Sequence, residues 1–318
     1  MTEDREGVRM IMFAGPNGSG KSTTINQDRK QPNFPQTYIN ADDIARIELA
    51  KIPDLNERNL QAAQIAETRR REAIAEGKPF AFETVMSTPE KISLLTQARA
   101  KGYQVHVVFV TTEDADINVR RVAQRVQGGG HNVDTDKIRE RYHRAMELMP
   151  HALDHAHKAA VYDNSVDDRM AIKVAEKMLR TQQLSLTVTP DEAPSWVAPK
   201  LVQPYYDIQK SRQEMQEAYK QFLTTHPHLQ NTRIGDADAS HLQRYQGEVL
   251  AVSNRHFLQQ ISPHVFAVHD RALYPKNVEA GKAADVVYAY QGGKFKDIQN
   301  QQAKTVEPIL VDSKKRGR

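Results

Sequence analysis

The chain has 318 residues, 39% hydrophobic and 26% charged, the composition of a globular protein about twice the length of a typical domain, so two domains are expected. A formal net charge of only +4, part of it in the run Lys314-Lys315-Arg316-Gly317-Arg318, argues against a nucleic-acid partner, and the absence of cysteine excludes disulfides, thiolate zinc sites and cysteine nucleophiles. No apolar run approaches the roughly 18 residues that span a bilayer, and Met1-Thr2-Glu3-Asp4-Arg5-Glu6 is too polar for a secretory signal, so the expected location is cytoplasmic, with no membrane contact.

The first predicted element is a buried strand over residues 8–14. Directly after it stands Gly15-Pro16-Asn17-Gly18-Ser19-Gly20-Lys21-Ser22, a complete GxxxxGK[ST] pattern, and an amphipathic helix start follows. Glycines let the backbone wrap so that its N–H groups point at a β-phosphate, Lys21 reaches the β/γ oxygens, and the Ser22 hydroxyl can ligate Mg²⁺. Gly15, Pro16, Asn17, Gly18, Ser19, Gly20, Lys21, Ser22 and Thr23 are therefore the expected nucleotide contacts, with Mg²⁺ as the accompanying ion.

Further strands are expected over residues 37–40, 79–84, 104–111 and 159–162, alternating with segments of helical period. This is the pattern of βαβ units and an α/β fold with a parallel sheet. A long helix over 56–76 is stopped by Gly77, and another opens at Ser87-Thr88-Pro89-Glu90 and is stopped by Gly102. Gly128-Gly129-Gly130-His131 reads as a loop between two helices. Residues 181–204, with Pro190, Pro194 and Pro199, read as a linker between a domain over 1–180 and a module over 205–318. That module opens with a polar helix over 206–224. Strands are expected over 247–253 and 257–261, a hairpin around Asn254-Arg255-His256, and then over 265–269, 284–290 and 294–298. His256, His264 and His269 lack a carboxylate or thiolate framework and read as core or hairpin residues, not metal ligands.

A phosphate-binding loop does not by itself separate a kinase from a GTPase or a motor. The second strand narrows the choice, because it ends Ile39-Asn40-Ala41-Asp42-Asp43, at the sheet edge where ligands sit in open α/β folds. Asp42 is the candidate base that accepts a proton from an attacking hydroxyl, and Asp43 the candidate cap of the next helix. The third strand ends Phe80-Ala81-Phe82-Glu83-Thr84, lifting Glu83 to the same edge, where it could hold a substrate hydroxyl or a water on Mg²⁺. Beyond the fourth strand lie Arg120, Arg121, Arg125, Arg139, Arg141 and Arg144. Arginines near a loop of this kind stabilise transferring phosphoryl oxygens, and position favours Arg125 and Arg141.

The succession AGPNGSGKST, INADDIA, FAFETVMS, NVRRVAQRVQGGGHNV, IRERYHRAMEL and VYDNS resembles the zeta toxin family of P-loop kinases, in its shorter Gram-negative form, over residues 8 to about 180. The resemblance implies a P-loop kinase-like parallel sheet with helices on both faces. It also implies ATP- and Mg²⁺-dependent phosphorylation of the 3′ hydroxyl of the aminosugar in UDP-N-acetylglucosamine. By the same resemblance Lys21 and Ser22 hold triphosphate and metal, Asp42 is the base, Glu83 and Thr84 sit by the sugar, Arg125 and Arg141 serve the γ-phosphate, and the loop with His131 falls in the lid. The family's longer toxins carry extra chain around the uridine and sugar, and related cores act on other nucleotides, dinucleotides included, so the acceptor stays open. Nothing in the sequence resembles the three-helix antitoxin, which leaves a separate antitoxin protein as a partner. Residues 245–260 resemble the small KfrB-type module of plasmid proteins, in keeping with a β-rich C-terminal unit. The rival classes are a nucleic-acid-linked P-loop protein, such as a polynucleotide kinase or plasmid-transfer accessory, and a nucleotide switch with no acceptor.

Overall fold

A computed structural model describes residues 7–128, 133–297 and 310–312, so the expected loop residues Gly129, Gly130 and His131 lie outside the described residues. The chain divides into two compact units. The first runs to Met86, resumes over Lys101–Ala145 and closes with Ala156–Pro194.

In chain order the elements are β1 (Arg9–Ala14), α1 (Lys21–Asp28), β2 (Thr37–Ile39) and α2 (Ala41–Asp43), which continues as a π-helical turn over Ile44–Glu48. Then come α3 (Leu55–Glu76), β3 (Phe80–Thr84), α4 (Pro89–Ala100), β4 (Gln104–Thr111), α5 (Ala115–Gln127), α6 (Thr135–His155), β5 (Lys158–Asp163), β6 (Ile172–Lys177) and β7 (Leu184–Leu186). The sheet order is β2-β3-β1-β4-β5-β6-β7. The strands from β2 to β5 pair in parallel, and β6 and β7 add on antiparallel.

Met10 and Met12 of β1, Phe80 and Phe82 of β3, and Val105, Val107 and Phe109 of β4 are fully buried. Crossover helices cover both faces of a parallel sheet, so its strands are continuous apolar runs, as the sequence showed. On one face Ile25 of α1 packs with Phe13 and Ala81. From β1 the chain goes out to β2, and from β3 it crosses back past β1 to β4, the reversal of direction beside which open α/β sheets place ligands, at the carboxyl ends of the strands. Strands β6 and β7 were not expected, and β7 falls within the stretch read as a linker.

The helix ends follow local chemistry. The Asp54 carboxylate accepts the Glu57 N–H at 2.7 Å at the start of α3, and Gly77 ends it with φ 67°. At α2 the expectation of Asp43 as cap is corrected. The cap is Asn40, whose side chain accepts the Asp42 N–H at 2.8 Å. The strand stops at Ile39, so Asn40 is the last extended residue, whereas Asp43 is already helical and pairs with Arg46 at 2.7 Å.

The second unit comprises Ser87–Ala100, Met146–His155 and the chain from Ser195. After a π-helical turn over Ala198–Val202 come α7 (Gln203–Thr225), β8 (Arg233–Ala237), β9 (Arg244–Val252), β10 (His256–Ser262), β11 (Val265–Asp270) and β12 (Ala283–Val287), then β13 (Tyr290–Gln291), β14 (Lys294–Phe295) and β15 (Leu310–Asp312). One sheet has the order β12-β9-β10-β11-β8-β15, and β13 and β14 form a separate pair. The hairpin of β9 and β10 lies where the sequence put it. Helix α7 lays Met215, Tyr219 and Phe222 on Ile234, Leu258, Phe266 and Val268. His269 stacks on Phe257 with ring centroids 4.4 Å apart, and its Nδ1 meets the Tyr288 hydroxyl at 2.8 Å. Burial pushes the pKa of His269 down to about 3, and burial followed by the Arg212 charge takes His256 down to about 4, so both are neutral core residues.

The units interleave along the chain because α4 and the end of α6 pack with the C-terminal strands. The Thr96 hydroxyl accepts the Ala239 N–H at 3.0 Å, and Asp270 pairs with His151 at 2.8 Å and His155 at 3.3 Å. Arg212 of α7 binds Asp154 at 2.6 Å and also pairs with Asp236. Burial opposes the Arg212 charge, but the two carboxylates hold its pKa well above the ordinary value. No described helix is long and apolar enough to cross a membrane. Replacing Arg212 by Ala takes the shared cation from two buried carboxylates, leaving Asp154 the Gln209 amide at 2.7 Å and Asp236 the more distant Arg99 at 4.0 Å, and we expect a loss of about 3–5 kcal/mol of stability. Denaturant unfolding monitored by circular dichroism checks this, and a loss below about 1 kcal/mol would show the network to be a surface-type pair.

Candidate nucleotide-binding and phosphotransfer site

The site is built at the end of β1. Gly15 has φ 145°, and a Cβ there would lie 2.0 Å from the Val110 carbonyl oxygen, so no side chain fits. Gly20, at φ 88°, caps α1, and its carbonyl accepts the Thr23 N–H at 3.2 Å. Two amides hold the loop from neighbouring elements. Asn118 of α5 donates to the Asn17 carbonyl at 2.6 Å and accepts from the Thr112 hydroxyl. Asn164, after β5, donates to the Ser19 carbonyl at 2.9 Å and is itself held by Arg121 at 2.7 Å. Sequence reasoning missed both residues, because each acts on the loop across more than a hundred positions of chain.

Lys21 is only 6% exposed. Its ammonium donates to the Gly15 and Pro16 carbonyls, each at 2.9 Å, and lies 3.6 Å from Glu83 Oε1. Burial pushes its pKa down; the charges of Glu83 and then Asp42 pull it back, and Arg125 pushes it down again. Glu83, Asp42 and Arg125 therefore all stand within electrostatic reach of the loop lysine. The structure brings these expected residues together from the ends of β3 and β2 and from α5.

Glu83 Oε2 accepts the Tyr38 hydroxyl at 3.3 Å and the Asn40 amide at 3.2 Å. The Thr84 hydroxyl accepts the Met86 N–H at 3.0 Å, fixing a turn in which Met86 has φ 55°. The expected substrate residue Thr84 thus also shapes the backbone beside the site. Ser22 and Thr23 are exposed on the first turn of α1. Of the six arginines, Arg120 and Arg121 bind Asp167, Arg139 binds Asp116, and Arg144 binds Glu140. Arg125 is exposed, while Arg141 is half-buried and has no hydrogen-bond or ion-pair partner among the described residues.

Beside the loop a cleft of about 680 Å³ is lined by Gly20, Thr23 and Thr24 on one side and by Tyr162, Asn164 and Met170 on the other. Its size suits a nucleoside. Neither the Ser22 hydroxyl nor the Asp42 carboxylate makes a hydrogen bond or close ion pair with another described side chain, so hard oxygen donors are available for magnesium. No cluster of three His, Asp or Glu among the described residues could hold a metal ion. A magnesium ion here would therefore draw most of its ligands from phosphate and water, as is usual for that ion. Within the loop the Asn17 Oδ1 and Ser19 Oγ atoms are buried and unpartnered, and the Ser19 hydroxyl has a proton to offer an anion.

Residues 10–148 match the AAA domain family, and residues 244–297 match the KfrB domain family. These are the stretches whose motifs resemble P-loop kinases of zeta type and the KfrB module. An uncharacterized protein of Haemophilus influenzae is 30% identical over 141 residues, which is 42% of this chain and 92% of that protein. The chain belongs to one family with it. Among solved structures, the PezAT chromosomal toxin–antitoxin system of Streptococcus pneumoniae is similar at 18% identity over 54% of this chain and 74% of the other, with a TM-score of 0.40. AvrRxo1-ORF1:-ORF2 with ATP is similar at 12% identity over 63% and 65%, with a TM-score of 0.47. A putative kinase from Chloroflexus aurantiacus is similar at 13% identity over 43% and 78%, with a TM-score of 0.36.

The loop geometry yields a direct test. In Gly15→Ala the new Cβ must displace the backbone of β4 or the loop, and we expect ATP binding to vanish from isothermal titration while far-ultraviolet circular dichroism keeps its native shape. Retained affinity would mean that the loop is not the phosphate site.

Proposed function

We propose that this chain is an ATP- and Mg²⁺-dependent kinase that transfers the γ-phosphate to a hydroxyl of a small nucleotide-type metabolite, with UDP-N-acetylglucosamine as the first acceptor to test. The observation that carries the reading is the convergence of Lys21, Glu83 and Asp42 at one edge of a parallel sheet. A switch that only binds a nucleotide has no need of two carboxylates there.

On this reading Lys21 leaves the Gly15 and Pro16 carbonyls and takes the β/γ oxygens of ATP, while Ser22 contributes its hydroxyl to magnesium. Bound magnesium supplies charge neutralisation at the phosphates. Asp42 accepts the proton of the acceptor hydroxyl as that oxygen bonds to the γ-phosphorus, the bond to the β-phosphate oxygen breaks, and ADP departs. Glu83 and Thr84 contact the acceptor. Arg125 and Arg141 offset charge on the transferring oxygens, and the lack of a described partner for Arg141 supports its assignment. The nucleoside of ATP occupies the cleft between α1 and the chain after β5. We assign the chemistry to the stretch up to about residue 180, growth inhibition as its consequence in the cytoplasm, and a separate antitoxin protein as its restraint.

The test is to incubate the protein with ATP, Mg²⁺ and a panel of nucleotide sugars and dinucleotides, and to identify phosphorylated products by mass spectrometry. Asp42→Asn should slow product formation by about 10²–10⁴-fold, and Lys21→Ala should abolish it. Product at the wild-type rate from Asp42→Asn would remove Asp42 as the base. Release of ADP and phosphate alone, with every acceptor, would sink the kinase reading.

A further inference from the structure

The Glu83 carboxylate and the Asp42 backbone share one amide. Asn40 Nδ2 lies 3.2 Å from Glu83 Oε2 and 3.3 Å from the Tyr38 hydroxyl, and Asn40 Oδ1 lies 2.8 Å from the Asp42 backbone nitrogen. The orientation of this amide is forced by its neighbours. The Asp42 N–H can only donate and so requires the amide oxygen, and a carboxylate at Glu83 can only accept and so requires the amide nitrogen. The rest of the proton count closes. Asn40 spends one N–H on Glu83 and one on Tyr38, and the Tyr38 hydroxyl spends its proton on Glu83 at 3.3 Å. Glu83 Oε2 therefore receives two donors, and Oε1 is left facing the Lys21 ammonium at 3.6 Å.

Tyr38 is equally constrained. Arg29 stacks on its ring, with the guanidinium carbon 4.9 Å from the centroid, and Phe34 lies 6.4 Å away on the file that leads to Phe13. Burial and then the Glu83 charge push the Tyr38 pKa up, so the phenol keeps the proton it donates.

We infer that Asn40 and Tyr38 are positioning residues of the transfer site: they commit one oxygen of Glu83 to the protein, leave the other to the lysine and its phosphates, and through the same amide hold the backbone of Asp42. The inference rests on the kinase reading for its catalytic consequence. Its structural content, a tie between Glu83 and Asp42 through Asn40, stands separately.

Three variants separate the donor role from the capping role. Tyr38→Phe removes the phenol donor to Glu83 and the acceptor of one Asn40 N–H, and leaves the other Asn40 N–H on Glu83 and the cap on Asp42 in place. Asn40→Asp keeps a capping oxygen for Asp42 but replaces the donors to Glu83 by a second carboxylate, whereas Asn40→Ala removes both functions and adds no charge. With the acceptor identified by mass spectrometry, kcat should fall about tenfold in Tyr38→Phe and about 100-fold in Asn40→Ala, with KM for ATP unchanged within about twofold in these two uncharged variants, and Asn40→Asp should lower kcat at least as far as Asn40→Ala despite its intact cap. A purely structural role would instead raise KM or lower the amount of folded protein and leave kcat per folded molecule intact, and that outcome overturns the inference. Hydrogen exchange on the nucleotide-free full chain provides the second reading. Exchange at the Asp42 amide should quicken several-fold in Asn40→Ala and also in Glu83→Ala, which removes the far anchor of the amide. Unchanged exchange in Glu83→Ala overturns the tie whether or not any acceptor is phosphorylated. Absence of phosphotransfer in the wild type, with the exchange result as expected, overturns the kinase reading and leaves the tie standing.

Discussion

A lysine ammonium buried at the start of α1, just past the loop that follows the first strand, is the constraint from which the arrangement of the site follows. Lys21 has left water almost completely, and a buried cation is tolerated only when partners replace its hydration. Two loop carbonyls and the Glu83 carboxylate do so. The loop must therefore curl until its carbonyls face inward at Gly15 and Pro16. The third strand must also end beside the first, so that Glu83 reaches the lysine. The register that pairs Phe13 with Glu83 meets that second demand. On the proposed reading, a triphosphate entering this place meets a loop already bent around the cation, which exchanges its two carbonyls for phosphate oxygens.

Around that charge the connectors are neutral amides. Asn40, Asn118 and Asn164 each tie a loop to a neighbouring element. An amide carries a donor and an acceptor on one short side chain, so it can bridge a carbonyl or carboxylate to a second group without adding charge near Lys21. A lysine or carboxylate in the same places would alter the balance of the Glu83, Asp42 and Arg125 charges that act on the buried ammonium. Asn118 further links the phosphate loop to α5, the helix that carries Arg121 and Arg125, so the loop and these arginines share one mechanical support.

Much of this could be read from the chain before any coordinates. The loop pattern, the five parallel strands, the carboxylates at the ends of β2 and β3, and the β9–β10 hairpin are all local signals of composition and period. What escaped notice is of two kinds. Strands β6, β7 and β8 are short or charged, as in Ile172–Lys177 with its two lysines and a glutamate, and a period of two cannot be recognised over so few residues. The amide connectors escaped because an asparagine in a loop, as Asn164, resembles any other turn residue, and one in a helix, as Asn118, resembles any other polar helical residue. Only the fold shows that Asn118 and Asn164 meet the phosphate loop. The misassigned cap at Asp43 has the same origin, since two acids after a strand end look alike until the strand is seen to stop at Ile39.

The interleaving of the two units bears on how such a chain can arise. Thr96, His151, Asp154 and His155 are each no more than 6% exposed, and their partners Ala239, Asp270 and Arg212 lie far along the chain, in its C-terminal part. In a protein that lacked this part, those positions would be left without these partners and open to water. Joining a nucleotide-binding domain to a KfrB module by recombination at the boundary would thus bring together two surfaces not yet matched. Matching them requires substitutions on α4 and at the end of α6, well upstream of any junction, so the two parts are expected to evolve as a pair and to resist being shuffled singly.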